Sequence, residues 1–243
     1  MKFALFGSID TAGACLKILL DYFLRDDIFV ITQADYGDVG NNVFSLAKKE
    51  KLNLIKHEEL EDGELIFDYG FSIRYNKIFR KKIIEKFRNG IINMHGGPLP
   101  DYKGSANHIF AILNEEKEFG ATLHFINEEV DEGEIIDKEL FPIEDHYTGY
   151  DLLEKSKKTG IEMFEKLIKR IAVGQNIKGF EQGPGRLKTY KEADIRSFQE
   201  VDLANIGNKE LVKRLRAFYH PARDSVYTFI GGEKVELKLK RDA

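Results

Sequence analysis

Ile91-Ile92-Asn93-Met94-His95-Gly96-Gly97-Pro98-Leu99-Pro100 is the stretch that decides the fold. Its apolar start predicts a buried strand, along which side chains alternate between the two faces of a sheet. Asn93 and His95 therefore project from the same face at the carboxyl end of that strand. Because ligands bind at the carboxyl ends of strands in an open parallel sheet, this amide and this imidazole are predicted to share a functional site.

Apolar strands alternate with amphipathic helices on the N-terminal side of this stretch. Strands are predicted at residues 3–6, 29–32, 52–55 and 65–67, and helices at residues 16–23, 42–51 and 78–87. Alternation of this kind, without tight hairpins, predicts right-handed crossovers. The predicted fold class is therefore α/β, with a doubly wound and mostly parallel sheet.

The C-terminal side predicts the end of this sheet and a small appendage. A helix at 106–117 precedes strands at 120–126 and 135–143, which are expected to pair antiparallel, and a long helix at 149–174. Gly183-Pro184-Gly185 cannot extend a helix or a strand, so we predict a catalytic core at residues 1–185 and an appendage at 186–243. The appendage holds a helix at 210–219 and a hairpin around Gly231-Gly232. A lone hairpin is marginally stable, which predicts a homodimer formed through it.

Composition narrows the class of protein. The 243 residues carry a formal net charge of −4, which argues against a protein that coats nucleic acid or membrane. Cys15 is the single cysteine, so no internal disulfide can form, and a reducing cytoplasm is the expected location. The sequence contains neither a signal peptide nor an apolar run long enough to span a membrane.

Most short motifs for ligands are absent or weak. The six histidines show no helical pairing and no cysteine partner, so no metal site is predicted. The turn from Gly7 to Gly13 lacks the glycine spacing that brings a dinucleotide pyrophosphate onto a helix. For Asn93 and His95 the simplest interpretation is a polar pair at a strand end. Asp131, in a polar loop after a strand of the same sheet, favours instead the interpretation that these residues form a functional site. A carboxylate sets the tautomer of a neighbouring imidazole, and an amide can hold an oxyanion.

A longer pattern surrounds these residues. Asn93-x-His95 is followed by Leu99-Pro100, Tyr102-Lys103-Gly104, Gly120-Ala121-Thr122-Leu123-His124 and Asp131-x-Gly133. With the N-terminal strand-turn-helix and Thr32-Gln33-Ala34-Asp35, this pattern resembles the folate-dependent formyltransferases over about residues 1–175. The resemblance implies N10-formyltetrahydrofolate as co-substrate, no metal, and a catalytic trio of Asn93, His95 and Asp131. The hypothesis is that Asn93 and a protonated His95 hold the oxyanion, while Asp131 orients His95 and accepts the amine proton directly or through water; the sequence leaves open which of His95 and Asp131 is the formal base.

The resemblance also points to an acceptor. The short tail, the short acidic loop at residues 36–42 and Gly96 after the histidine are most similar to sugar N-formyltransferases. They imply a dTDP-linked amino sugar, with dTDP-4-amino-4,6-dideoxyglucose for surface polysaccharide such as O-antigen as the specific expectation. A methionyl-tRNA formyltransferase-like enzyme and a non-catalytic nucleotide-sugar or folate binding protein are the alternatives.

Further residues are predicted to bind substrates. The donor is expected between residues 69–78 and the Asn93 strand, where Lys77 is the first choice for the pyrophosphate and Arg74 the second. Tyr190 is predicted either to stack on a nucleobase or to pack internally. The remaining candidates are Tyr75, Gly97, Ser105, Asn107 and His108. Because related enzymes acting on 4-amino-arabinose have an arginine at the position of Ser105, a UDP-pentose is not expected.

Overall fold

A computed structural model describes residues 1–32, 43–186 and 189–240 of the chain. Its strands are β1 (Phe3–Phe6), β2 (Ile28–Ile31), β3 (Asn53–Leu54), β4 (Tyr69–Ile73), β5 (Ile91–His95), β6 (Lys103–Gly104), β7 (Glu118–Phe125), β8 (Ile135–Pro142), β9 (Thr189–Tyr190), β10 (Val226–Ile230) and β11 (Glu233–Leu237). Its helices are α1 (Asp10–Tyr22), α2 (Val43–Lys49), α3 (His57–Asp62), α4 (Lys81–Ile84), α5 (Asn107–Leu113), α6 (Gly149–Ala172), α7 (Arg196–Gln199) and α8 (Asn208–Phe218). The features predicted at Gln33–Asp35 and in the loop at 36–42 lie outside the described residues.

Seven strands form the main sheet in the order β3-β2-β1-β4-β5-β7-β8. The first five in this order run parallel, β7 is antiparallel to β5, and β8 is antiparallel to β7. This arrangement confirms the α/β class with a mostly parallel sheet and the antiparallel pair at one side. The carboxyl ends of β4 and β5 therefore lie side by side, and β7 covers the open flank of β5.

Both faces of the sheet are covered by apolar side chains. On one face, α1 and α6 pack over a core that includes Phe71, Met94 and Phe164. On the other face, Phe6 and Phe67 belong to a second, smaller core. Helix α6 starts at a capping box, in which Thr148 Oγ1 accepts from the Asp151 amide and the Asp151 carboxylate accepts from the Thr148 amide. This cap stabilises the start of the helix that supports β5 from behind.

Two predicted elements are wrong in position or length. The strand predicted at 65–67 is not formed, and the sheet instead uses β4, which pairs with β1 and β5. Gly70 is required there, because a Cβ on it would lie 2.8 Å from Phe87 Cε1. The helix predicted at 78–87 is reduced to the single turn of α4, since Phe79 is drawn into the core while Ile78 stays exposed.

The C-terminal part packs on the core through a third apolar cluster. This cluster includes Tyr102 and Phe110 of the core together with Tyr190, Phe218 and Val226. Strand β9 pairs in parallel with β6, and β10 and β11 form the predicted hairpin. The division of the chain after residue 185 stays a prediction. No helix within the described residues is long and apolar enough to cross a membrane.

Candidate active site

Strands β5 and β7 present the first polar groups of the site. Asn93 and His95 lie two residues apart near the end of β5, as predicted. Asn93 is the register partner of His124 on β7, and its Nδ2 lies 3.0 Å from His124 Nε2. The antiparallel pairing of β7 with β5 therefore brings a second imidazole to the predicted pair.

The loop after β7 brings Asp131 to these side chains. One carboxylate oxygen of Asp131, Oδ2, lies 3.5 Å from His95 Nδ1, and the other, Oδ1, lies 3.5 Å from His124 Nε2. The Gly104 amide donates to Oδ2 at 2.8 Å. The structure thus brings together Asn93, His95 and Asp131, the three residues that the sequence pattern singles out.

Main-chain carbonyls fix the tautomers of both histidines. His95 Nε2 lies 2.6 Å from the Tyr102 carbonyl oxygen, and His124 Nδ1 lies 2.8 Å from the Phe125 carbonyl oxygen. Because a carbonyl can only accept, each of these nitrogens carries a proton. His95 therefore turns Nδ1 toward Asp131. In its neutral form His124 accepts one N–H of Asn93 at Nε2, which leaves the second N–H of that amide for a ligand.

Burial and charge act in opposite directions on the two acid–base groups. Burial lowers the pKa of His95 below its ordinary value, and the nearby Asp131 carboxylate opposes this only in part. Burial raises the pKa of Asp131, but His95, His124 and the Gly104 amide outweigh it and hold that pKa well below the usual range. At neutral pH we therefore assign a neutral imidazole beside an ionised carboxylate. The protonated His95 of the hypothesis would then form only when this imidazole accepts a proton.

Asn107 and Gly97 close the back of the site. Asn107 is 3% exposed, and its Nδ2 lies 3.0 Å from His95 Nε2 and 2.9 Å from the Tyr102 carbonyl oxygen. A Cβ on Gly97 would lie 3.0 Å from that Nδ2 and 3.2 Å from His95 Nε2. The two residues therefore support His95 from behind. Asn107 Oδ1 is buried and has no hydrogen-bond partner within the described residues.

A cavity of about 190 Å³ opens beside Asn93, His124 and Asp131. Its wall is mostly apolar and includes Tyr75, Ile78, Phe79, Ile126 and Val130. Such a wall fits a flat heteroaromatic group, for which the nearby Asn76 and Asn127 supply polar side chains. The cavity lies where the donor is predicted, between the segment after β4 and the Asn93 strand.

Two of the predicted binding residues line this cavity with partners already in place. The Tyr75 hydroxyl lies 2.9 Å from His57 Nδ1, while Lys77 Nζ lies 2.6 Å from a carboxylate oxygen of Glu58. Lys77 thus stands at the mouth of the apolar cavity with its charge paired.

A second cavity, of about 440 Å³, holds charged side chains of both signs, among them Glu192 and Asp224. It is lined by His108, Arg196, His220 and Arg223, among others. Burial, followed by the positive charges of Arg74, Arg223, His220 and Lys157, lowers the pKa of His108 to about 3. Arg74, the second choice for the pyrophosphate, therefore lies close enough to His108 for its charge to act on it, although neither Arg74 nor Lys77 lines this cavity.

The last two candidates lie at the pairing of β6 with β9. Tyr190 is 5% exposed, with its ring stacked on Tyr102 at 5.2 Å and packed on Phe110 at 4.3 Å. Its ring faces are covered, so the prediction that it stacks on a nucleobase is corrected in favour of internal packing. Ser105 is exposed, and its amide donates to the Tyr190 carbonyl oxygen at 2.9 Å.

Sequence reasoning missed three contributors to the site. His124 is part of the quoted motif. Its position opposite Asn93 on the neighbouring strand was the one signal that could have identified it as a residue of the site. Gly104 belongs to the quoted motif, but its amide bond to Asp131 could not be inferred from it, and Gln182, which binds the Asp131 carbonyl, lies in no motif. For metals, no group of three or more His, Cys, Asp or Glu side chains suited to an ion occurs in residues 1–32, 43–186 and 189–240.

An amide, an imidazole and a carboxylate that converge at the end of a central strand form a site suited to acyl transfer. The chain belongs to the formyl transferase family, whose sequence profile, described as Formyl transferase, matches residues 27–168. Among curated relatives, the methionyl-tRNA formyltransferase of Clostridium tetani is 29% identical over 182 residues, which cover 69% of this chain and 58% of that protein. This chain therefore spans less than two thirds of that relative's length.

Solved structures resemble the chain over nearly all of its length. An N-formyltransferase from Helicobacter canadensis, in complex with folinic acid and dTDP-3-aminofucose, superposes with a TM-score of 0.81 at 28% identity, covering 97% of this chain and 86% of that one. WlaRD, a sugar 3N-formyl transferase in the presence of dTDP and 5-N-formyl-THF, gives 0.80 at 26% identity, covering 97% and 84%.

Proposed function

We propose that the protein is an N-formyltransferase that moves a formyl group from N10-formyltetrahydrofolate to the amine of a dTDP-linked amino sugar. The observation that carries this proposal is the convergence of Asn93, His95 and Asp131, with Asn93 and Asp131 lining a mostly apolar cavity that suits a folate. A second cavity, lined by Arg196 and Arg223 as well as by Glu192 and Asp224, offers guanidinium groups to a nucleoside diphosphate. The Helicobacter canadensis and WlaRD structures support both ligand classes.

When bound, the folate supplies the formyl carbon and the nitrogen that leaves it. The sugar amine forms the new bond to that carbon, and the bond to the donor nitrogen breaks. The second N–H of Asn93 donates to the formyl oxygen as negative charge develops there. The proton lost by the amine moves to His95 Nδ1, where the ionised Asp131 stabilises it at 3.5 Å, and it returns to the leaving nitrogen.

The second cavity would bind the diphosphate of the acceptor. Phosphate oxygens require cations or amide donors, and the guanidinium groups of Arg74 and Arg223 supply positive charge around His108. We therefore reassign the diphosphate contact from Lys77 to the group of Arg74 and Arg223. Lys77, at the mouth of the other cavity, would contact the donor.

Mass spectrometry tests the proposal. The protein is incubated with N10-formyltetrahydrofolate and, separately, with dTDP- and UDP-linked sugars that carry the amine at C3 or at C4. A mass gain of one formyl group on a dTDP sugar is expected, and the panel includes dTDP-4-amino-4,6-dideoxyglucose, the specific acceptor we propose. Binding of sugar and folate without any mass gain would instead identify a non-catalytic binding protein.

The sequence relatives favour a second candidate, methionyl-tRNA formyltransferase activity. That function requires salt-sensitive binding of charged initiator tRNA. Formylation of methionyl-tRNA, with no reaction across the sugar panel, would establish it in place of the sugar proposal.

Homodimerisation through the C-terminal hairpin remains part of the proposal. Phe229 and Ile230, at the end of β10, are 55% and 58% exposed. Light scattering of the wild type and of a Phe229→Asp variant tests this. A dimer that becomes a monomer in the variant supports the hairpin as the interface.

A further inference from the structure

Residues 173–186, which follow α6, contact the loop of Asp131, and β9 further along the chain pairs with the strand that carries Gly104. Phe180 exchanges two backbone hydrogen bonds with Ile135, each 2.9 Å long, directly after the Asp131 loop. Two residues later, Gln182 reaches into that loop. Further along, β9 pairs with β6, which carries the Gly104 amide. Both the loop of Asp131 and the strand that donates to it are therefore contacted by the chain that follows α6.

The Gln182 side chain holds the Asp131 loop by its backbone. Its Nε2 donates to the Asp131 carbonyl oxygen at 2.8 Å and to the Gly133 carbonyl oxygen at 2.7 Å. The amide must lie this way round, because its oxygen could accept from neither carbonyl. Gln182 Oε1 is buried, and it has no hydrogen-bond partner in the part of the chain that the structure describes. Both N–H groups of the Gln182 amide thus bind the loop, while the amide oxygen has no partner among the described residues.

Asp131 needs this support because its backbone is in an unfavourable conformation. Its φ of 56° lies in the left-handed region, which a side chain with a Cβ rarely adopts. In that conformation its carboxylate meets His95, His124 and the Gly104 amide together. A loop that relaxed to an ordinary φ would turn the carboxylate away from all three.

We propose that Gln182 is a positioning residue of the active site, which keeps Asp131 in its left-handed conformation by binding the carbonyls of residues 131 and 133. This inference rests on the proposed function for its kinetic part only. Gln182 reaches the reacting groups through Asp131, and it acts through backbone atoms. Its loss should therefore affect the chemical step more than substrate binding.

The first measurement does not depend on activity. In protein labelled with ¹⁵N-glycine, hydrogen exchange is measured at the Gly104 amide, which reports the hydrogen bond to Asp131. Gln182→Met keeps the length of the side chain and removes both donors, and Gln182→Glu keeps its shape in case the first variant does not fold. We expect exchange at Gly104 to be about 10-fold faster in either variant. Gln175→Met is the matched control, because Gln175 is exposed at the end of α6.

The second measurement is the pH profile of formyl transfer. With Asp131 displaced, its carboxylate no longer raises the pKa of His95, so the acid limb of kcat, which reports protonation of that base, moves to lower pH. We expect kcat at neutral pH to fall about 100-fold and the KM of each substrate to change less than about 3-fold. Wild-type exchange at Gly104 in both folded variants would overturn the inference, even if the wild type formylates no sugar. A loss confined to KM, with an unshifted acid limb, would overturn it as well.

Discussion

Asp131→Asn is the most direct perturbation of the site, because it keeps the size of the side chain and removes its charge. In wild type the proton that reaches His95 Nδ1 lies beside a carboxylate oxygen at 3.5 Å. At an effective dielectric constant of about 20, two unit charges at that distance attract by about 5 kcal/mol. Both side chains are nearly buried, so solvent screens little of this energy. Loss of the charge should therefore reduce kcat by about 1000-fold.

The assay measures formyl transfer to the preferred sugar by mass spectrometry, at saturating concentrations of both substrates. Glu132→Gln is the matched control. It removes the same charge one residue along the loop, where Glu132 is half exposed and paired with Lys103, and a surface pair contributes at most about 1 kcal/mol. The reasoning is refuted if folded Asp131→Asn keeps more than about a tenth of the wild-type kcat, or if Glu132→Gln is equally impaired.

Three further predictions concern Gly160, Gly104 and His108. Alanine normally stabilises a helix by about 1 kcal/mol relative to glycine, but a Cβ on Gly160 would lie 2.7 Å from Met94 Sδ. Urea denaturation should therefore show that Gly160→Ala lowers the free energy of unfolding by about 1 kcal/mol. In a Met94→Ala background the same substitution should lower it by less. Gly104→Ala, at a φ of 87° and against the Tyr190 carbonyl oxygen, should displace the amide from the catalytic carboxylate and lower kcat about 100-fold in the transfer assay. The pKa of His108 is lower in the folded chain than in the unfolded chain. The stability that neutral His108 contributes is therefore complete above its ordinary pKa of 6.5 and is lost as the pH falls toward about 3. Between about pH 7 and pH 5, the melting temperature of His108→Gln should therefore fall less than that of wild type.

Each of these three predictions has an outcome that contradicts it. A Gly160→Ala protein more stable than wild type would show that Met94 adjusts without cost. Normal kcat in Gly104→Ala would mean that the Gly104 amide is not needed by the carboxylate. Equal loss of melting temperature in wild type and His108→Gln would remove His108 as the cause of the acid sensitivity.

The central strand and the convergence of Asn93, His95 and Asp131 could be predicted because their signals are local. Side-chain alternation places Asn93 and His95 on one face whatever the rest of the chain does, and the quoted motif identifies Asp131. Strand β4 was missed for the opposite reason, since Gly70 and Ser72 have little preference for strands. Their small size is dictated by contacts with other elements, such as the approach of the Phe87 ring to Gly70.

The binding residues were harder to predict because their partners are distant in sequence. Lys77 pairs with Glu58 on the preceding helix, which fixes its charge at the apolar cavity. Arg74 joins the group around His108 together with Arg223, about 150 residues further along the chain. Arg74 and Lys77 are both cations in a loop, and the neighbouring sequence does not distinguish them. The fold therefore decides which one is available for a diphosphate.

The geometry of Asn93, His95 and Asp131 depends on contacts within the core and, through β9, on the appendage beyond the predicted boundary at residue 185. The Tyr102 carbonyl fixes the tautomer of His95, the Gly104 amide binds the Asp131 carboxylate, and Gln182 holds the Asp131 carbonyl. Backbone donors and acceptors are the same for every residue type, so the sequence does not reveal these roles even though Tyr102 and Gly104 belong to the quoted motif. Since β9 aligns β6, and β9 belongs to the appendage, the position of the Gly104 amide depends on residues beyond the core. Substitutions in the appendage that disturb β9 should therefore lower kcat even where they lie far from both cavities.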